Sequence, residues 1–196
     1  MKLHYSPFSP FARKCRILIL AKGLDVEIAA VDAAGAQGYA PSLNPLGKIP
    51  ALERSGKAAL FDSPVICEYL DGLKDPWLAP IGEARWSQWR LHRIGDGLSE
   101  AVYNYRFETV RDKALHWPQM ITRHETAIFN VIKALEDECE SLSKTWDFAN
   151  IAIICALDYA DFRAEHINWR SLAPKLSTWH DGFQRNAVWI ETNGYI

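Results

Sequence analysis

Two short segments of this chain carry residues suited to chemistry. Ser9-Pro10-Phe11-Ala12-Arg13-Lys14 sets a hydroxyl and unpaired main-chain amides at the head of a predicted helix. Asn44-Pro45-Leu46-Gly47-Lys48-Ile49-Pro50, followed by Asp62-Ser63-Pro64, adds a lysine, a strand edge and a second helix start. Donors at a helix start hold anions, and an extended edge pairs with a peptide backbone. Together the segments describe a pocket for a small, anionic, peptide-like thiol.

Other chemistries have little support. The four cysteines (Cys15, Cys67, Cys139, Cys155) lie scattered among apolar neighbours with no C-x-x-C spacing, and read as buried, reduced thiols. The six histidines form no i,i+4 pair and no H-E-x-x-H, so no metal site is expected. A net charge of -2 with both signs mixed argues against a nucleic-acid partner. The longest apolar stretches, 17–21 and 151–157, fall short of a membrane span. No basic, then apolar, leader opens the chain, so the cytosol is the expected location.

The elements that must position these residues follow from local signals. Lys2-Leu3-His4-Tyr5 reads as a strand. Ser9 at the N-cap, Pro10 at the first helical position and Gly23 at the end delimit a helix over 10–22. A second strand falls within 25–32. Residues 33–46 read as a loop, and 49–53 with 58–61 as a hairpin around Ser55-Gly56. Ser63-Pro64 repeats the cap-and-proline start for a helix to about residue 73. The order is β-α-β, loop, β-β-α, around one mixed sheet.

Two prolines without apolar periodicity mark Lys74 to Ile81 as a connection. Domains are therefore expected over 1–74 and 83–196, with a linker at 75–82. Beyond it the pattern is helical throughout. Trp86, Trp89, Ile94, Leu98 and Val102 share a face, with Gly95 and Gly97 as potential kinks. Further helices are expected over 124–142, 147–162 and 174–185. The third of these four is nearly all apolar, with Asp147 at its N-cap and Asn150 at the capping-box position.

This plan resembles that of the cytosolic glutathione transferases. Ser9 to Arg16 resembles the S/C-P-x-x-x-x-x-R run of serine- and cysteine-type classes. Asn44 to Pro50 is similar to the family's N-P-x-x-K-[VI]-P signature, Asp62-Ser63 to its [ED]-S pair, and Asp147 to Asn150 to its S-x-A-D capping segment. The resemblance spans essentially the whole chain and implies a bacterial, serine-type enzyme: a thioredoxin-like α/β domain followed by an all-helical domain. It also implies no bound cofactor, glutathione as co-substrate, a small apolar electrophile as second substrate, a homodimer and a detoxifying role.

Residue roles follow from the resemblance. A free thiol has a pKa near ~8.5, and only the thiolate is a good nucleophile. Lowering it by about two units takes roughly 2.7 kcal/mol of differential stabilisation. Ser9 is the implied donor to the sulfur, with Ser6 and Tyr5 as alternatives. Ser9-Pro10-Phe11-Ala12 stands where a thioredoxin-like protein has C-P-x-C, so disulfide exchange lacks its nucleophile. Ile49 and a cis Pro50 would pair with the tripeptide backbone, Lys48 would meet a carboxylate, and Asp62 with Ser63 would take the γ-glutamyl end. Gln37 is a candidate for the glycyl end. Phe8, Phe11, Tyr103 and Phe107 are candidates for the electrophile pocket, with Tyr105 and Arg106 nearby in sequence. A dehalogenase, peroxidase or isomerase would use the same thiolate. A non-catalytic binding module is the reading from another class.

Overall fold

The computed structural model describes residues 1–32 and 42–195. It divides into two compact units: Met1–Gln88 with Ala187–Ile196, and Trp89–Asn186.

The first unit contains β1 (Lys2–Tyr5), α1 (Pro10–Lys22), β2 (Glu27–Ala30), β3 (Ala51–Arg54), β4 (Lys57–Leu60) and α2 (Ser63–Asp71). The strands form one sheet in the order β2-β1-β3-β4. β1 runs parallel to β2 and antiparallel to β3, and Leu3 lies opposite both Ile28 and Leu52. The parallel pair requires a crossover, which α1 supplies. The hairpin β3–β4 carries an irregularity between Leu52 and Arg54. Leu3, Ala12, Cys15, Leu18, Leu52, Ile66 and Leu70 are buried in this unit. α1 packs on α2, and both helices contact the sheet.

α1 occupies the span its caps predict. The Ser9 side chain accepts from the Ala12 amide at 3.2 Å. At the other end Gly23 adopts φ 58°, and its amide donates to Leu20 O while that of Leu24 donates to Ile19 O. α2 differs by one residue. Asp62 is the N-cap and Ser63 the first helical residue, because Ile66 N donates to Asp62 O.

The connecting stretch is tied by charge and hydrogen bonds as well as by the burial of Leu78. Lys22 Nζ lies 2.9 Å from Asp71 Oδ1, both side chains being almost wholly buried. Lys22 also donates to the carbonyls of Lys74 and Asp75, and Asp71 accepts from the amides of Trp77 and Leu78. An ion pair this deep survives because its remaining donors and acceptors are satisfied.

The other helices are α3 (Glu83–Thr109), α4 (Pro118–Asp137), α5 (Asn150–Arg163), α6 (Trp169–Leu172), α7 (Pro174–Gln184) and α8 (Ala187–Thr192). In the second unit every residue of α5 from 150 to 160 is buried, as its unbroken apolar run requires. The Asp147 carboxylate accepts from the Asn150 amide at 2.7 Å, closing the first turn. Burial pushes that carboxyl above its ordinary range, and the hydrogen bonds from the Asn150 and Ala149 amides pull back against it. Asn150 does not reach back to the cap as a capping box would. Its amide group instead donates to the carbonyls of Ser143 and Thr145, holding the preceding loop.

Three expectations are corrected. Gly95 and Gly97 do not interrupt their helix, since α3 runs unbroken through 27 residues. A β-carbon on Gly95 would lie 2.5 Å from the Ala152 carbonyl carbon, so this glycine lets α3 and α5 meet backbone to backbone; Gly97 faces open space. Trp86 is 63 % exposed, whereas Leu98 and Val102 on its predicted face are buried. α4 begins six residues earlier than expected, with Pro118 in its first turn, and ends at Asp137, where Cys139–Ser141 tightens into a 3₁₀ turn.

Candidate functional site

The candidate site is built at one end of the first unit's sheet. β1 ends at Tyr5, and the chain then turns through Ser6-Pro7-Phe8-Ser9, closed by Ser9 N donating to Ser6 O at 3.1 Å. Proline at the second position of such a turn supplies its fixed φ. The turn delivers Ser9, half-buried, to the head of α1. Its oxygen accepts from Ala12 N, which uses one lone pair and leaves the hydroxyl proton available to donate. Any acceptor of that proton sits at the positive end of a 13-residue helix.

The Asn44–Pro50 segment has an organiser that spacing did not reveal. Asn44 is buried, and its side chain works in both directions. Oδ1 accepts from Leu46 N at 3.0 Å, and Nδ2 donates to Lys48 O at 2.8 Å. The Asn44 carbonyl accepts from Gly47 N, and Gly47 takes φ 64°. One asparagine thereby folds Pro45-Leu46-Gly47 into a tight loop and fixes the carbonyl just before Ile49. The signal available in sequence was the Asn-Pro pair with glycine two residues on.

The Ile49–Pro50 peptide is cis. Ala51, the next residue, pairs with His4, so Pro50 falls beside the end of β1 from which the Ser9 turn departs. Lys48 is exposed. Asp62, also exposed, makes no capping bond through its side chain, and Ser63 beneath it is buried. The two helix starts are neighbours. Cys15 Sγ, in the second turn of α1, lies 3.9 Å from Ser63 O and 3.7 Å from Cys67 Sγ. All four cysteines are buried free thiols.

The remaining candidates are dispersed. Gln37 lies outside the described residues. Phe8 is exposed and Phe11 half-buried in the first unit. In the second unit Tyr103 and Phe107 are exposed with ring centroids 4.4 Å apart. Tyr105 stacks instead on His166, and partial burial raises its phenol above the ordinary range. Among the described residues no His, Cys, Asp and Glu cluster suits a metal ion. No described helix is long and apolar enough to cross a membrane.

Comparison with known proteins decides the family. Residues 8–73 match the glutathione S-transferase N-terminal domain, and residues 118–182 match the C-terminal domain. The chain belongs to the glutathione S-transferase family. A glutathione transferase family member from Pseudomonas fluorescens Pf-5, solved with bound glutathione, is 32% identical with a TM-score of 0.92 and 97% of each chain covered. A glutathione S-transferase from Methylobacillus flagellatus KT, also solved with glutathione bound, is 27% identical with a TM-score of 0.91, covering 97% of this chain and 98% of that one. The uncharacterized GST-like protein YibF of Escherichia coli is 31% identical over 174 residues, 86% of each chain. A mixed four-stranded sheet followed by helices is the glutathione S-transferase arrangement that the sequence led us to expect.

Proposed function

We propose that this protein binds glutathione, ionises its thiol through Ser9, and transfers the thiolate to a small apolar electrophile. The observation that carries the reading is the Ser9 hydroxyl: it caps α1 as an acceptor while keeping its proton for a sulfur at the helix head. A charge-assisted bond and the helix dipole act there in the same direction. The glutathione-bound Pseudomonas fluorescens relative supports the choice of thiol.

In this reading residues 1–74 carry the glutathione site and 83–196 the helices that follow it, of which α8 rejoins the first compact unit. The tripeptide backbone pairs with Ile49 ahead of Pro50, and Lys48 meets a carboxylate. The γ-glutamyl carboxylate accepts from Ser63 and the free amides of α2, and the unengaged Asp62 carboxylate pairs with the ammonium. The candidates for meeting the apolar electrophile are Phe8 and Phe11 in the first unit and Tyr103 and Phe107 in the second. The thiolate forms the carbon–sulfur bond as the electrophile's leaving group departs, with no metal or bound organic cofactor required. A cytosolic homodimer with a detoxifying role completes the proposal.

The test is a pH titration of bound glutathione by thiolate ultraviolet absorbance, in wild type and in Ser9→Ala. A bound pKa well below that of the free thiol, moving back up in the variant, is expected. A lowered pKa indifferent to the variant would transfer the role to Ser6, Tyr5 or the helix amides. No bound thiolate at any pH would overturn the enzymatic reading.

A further inference from the structure

Residues 187–195 return to the first unit and meet the turn that carries Ser9. Arg13, on α1, is 1 % exposed. Its Nε donates to Thr192 Oγ1 and its Nη2 to Trp189 O, both at 3.4 Å, and its guanidinium lies 5.5 Å from the Trp189 ring and 5.7 Å from that of Tyr195. Arg16, one turn on, donates to Thr192 O and Glu191 O at 3.1 Å each. The final carbonyls of α8 are thus capped by two arginines of α1, where positive charge also suits the helix dipole. Thr192 is fully buried.

Beyond α8 the chain closes on the turn itself. A β-carbon on Gly194 would sit 2.4 Å from the Pro7 carbonyl oxygen and 3.0 Å from its carbonyl carbon. Both are backbone atoms, so no side-chain rotation relieves the overlap. Pro7 is the second residue of the turn whose closing bond is Ser9 N to Ser6 O. The C-terminal segment therefore grips the helix that Ser9 heads, through Arg13 and Arg16, and the turn that precedes it, through Gly194.

We propose that residues 187–195 are a positioning element for Ser9, with Gly194 setting where the Ser6–Ser9 turn holds the hydroxyl. The inference rests on the thiolate role given to Ser9 above. Gly194 touches neither sulfur nor electrophile in this account; it acts through Pro7. Restoring an ordinary contact at Pro7 needs a shift of about 1 Å, enough to take a hydrogen bond of ~3 Å out of range.

The experiment compares wild type, Gly194→Ala, Ser9→Ala and the double variant, titrating the thiol of bound glutathione by ultraviolet absorbance and measuring its dissociation constant at a pH where the thiol is protonated. Gly194→Ala is expected to raise the bound pKa by about one unit, a tenfold fall in the thiolate-to-thiol ratio at any given pH. The dissociation constant should change less than about threefold, because the tripeptide is held at Ile49 and Asp62–Ser63. In the Ser9→Ala background the same glycine change should leave the pKa where it is, since it acts through that hydroxyl. A chain ending at Asn193, which keeps both arginine contacts with α8, should behave like Gly194→Ala and serves if that variant folds poorly. A pKa unaltered both in Gly194→Ala and in the chain ending at Asn193, or an equal rise with and without the Ser9 hydroxyl, would overturn the inference while leaving the transferase reading in place. A wild-type bound pKa equal to that of free glutathione would remove the reading and the inference together.

Discussion

Replacing Asn44 tests how the glutathione edge is held. The side chain contributes two hydrogen bonds, to Leu46 N and Lys48 O, from a buried position. Asn44→Ala deletes both and leaves an amide and a carbonyl to find new partners. Leu46 and Lys48 are themselves exposed, so water replaces part of what is lost. The cost therefore belongs near the net worth of two bonds, about 1–2 kcal/mol, rather than the full penalty of two stranded buried groups. The Gly47 N to Asn44 O bond is main-chain and survives. If glutathione must then re-order residues 45–49 on binding, that free energy reappears in affinity as a roughly 5–30-fold rise in the dissociation constant. Calorimetric titration with glutathione, alongside thermal unfolding, measures both quantities. Asn44→Asp separates the two bonds: it keeps the acceptor for Leu46 N but sets a carboxylate against the Lys48 carbonyl, so it should bind no better than the alanine variant. A folded Asn44→Ala protein with affinity within about twofold of wild type would refute the claim that this side chain fixes the edge at Ile49.

Two further outcomes follow from packing. Asp71→Asn keeps the shape but leaves the Lys22 ammonium without its buried counter-charge, at a cost of about 3–5 kcal/mol; a melting temperature lowered by about 10 °C is expected, and a change under about 2 °C would contradict the weight placed on the pair. Gly97→Ala should stabilise by about 0.5–1 kcal/mol through helix propensity, whereas Gly95→Ala should destabilise because the Ala152 carbonyl carbon stands 2.5 Å from the new methyl. Denaturant midpoints of the two variants moving in the same direction would argue against the close approach of α3 and α5.

Where information was local, the sequence was read well. The Ser9-Pro10 start and the Gly23 stop fix α1 because each satisfies helix-terminal groups within three or four residues. The β-α-β order is legible because one helix bridges the parallel β1–β2 pair, whereas the placing of β3 beside β1 is a non-local pairing. The misreadings have equally physical causes. α4 opens on proline, as α1 does, but Trp117 rather than a serine precedes it, so the cap signal is missing. At Asp62-Ser63 two capping residues stand side by side, and the choice between them depends on which carbonyl meets Ile66 N. Glycine in a helix reads as a kink unless one knows what lies opposite, and Ala152 is 57 positions from Gly95. At the candidate site, Ser9 and Asp62-Ser63 were visible as helix starts, and Asn44 was quoted as part of a motif without a task. The six-residue α8 carries no strong signal of its own. Its place depends on Arg13 and Arg16, which look like surface charges on an amphipathic helix until a partner arrives from the far end of the chain.

That arrangement has a consequence for biosynthesis. Residues Met1–Gln88 leave the ribosome before Ala187–Ile196, yet the two segments share one compact unit. Roughly a hundred residues intervene, which at 5–20 residues per second is about 5–20 s of translation. For that interval the nascent α1 exposes two arginines whose carbonyl acceptors have not yet been made, and the Pro7 turn lacks its neighbour. The sheet and its two helices can form in that interval, but the surroundings of Ser9 are completed only once residues 187–195 have cleared the exit tunnel.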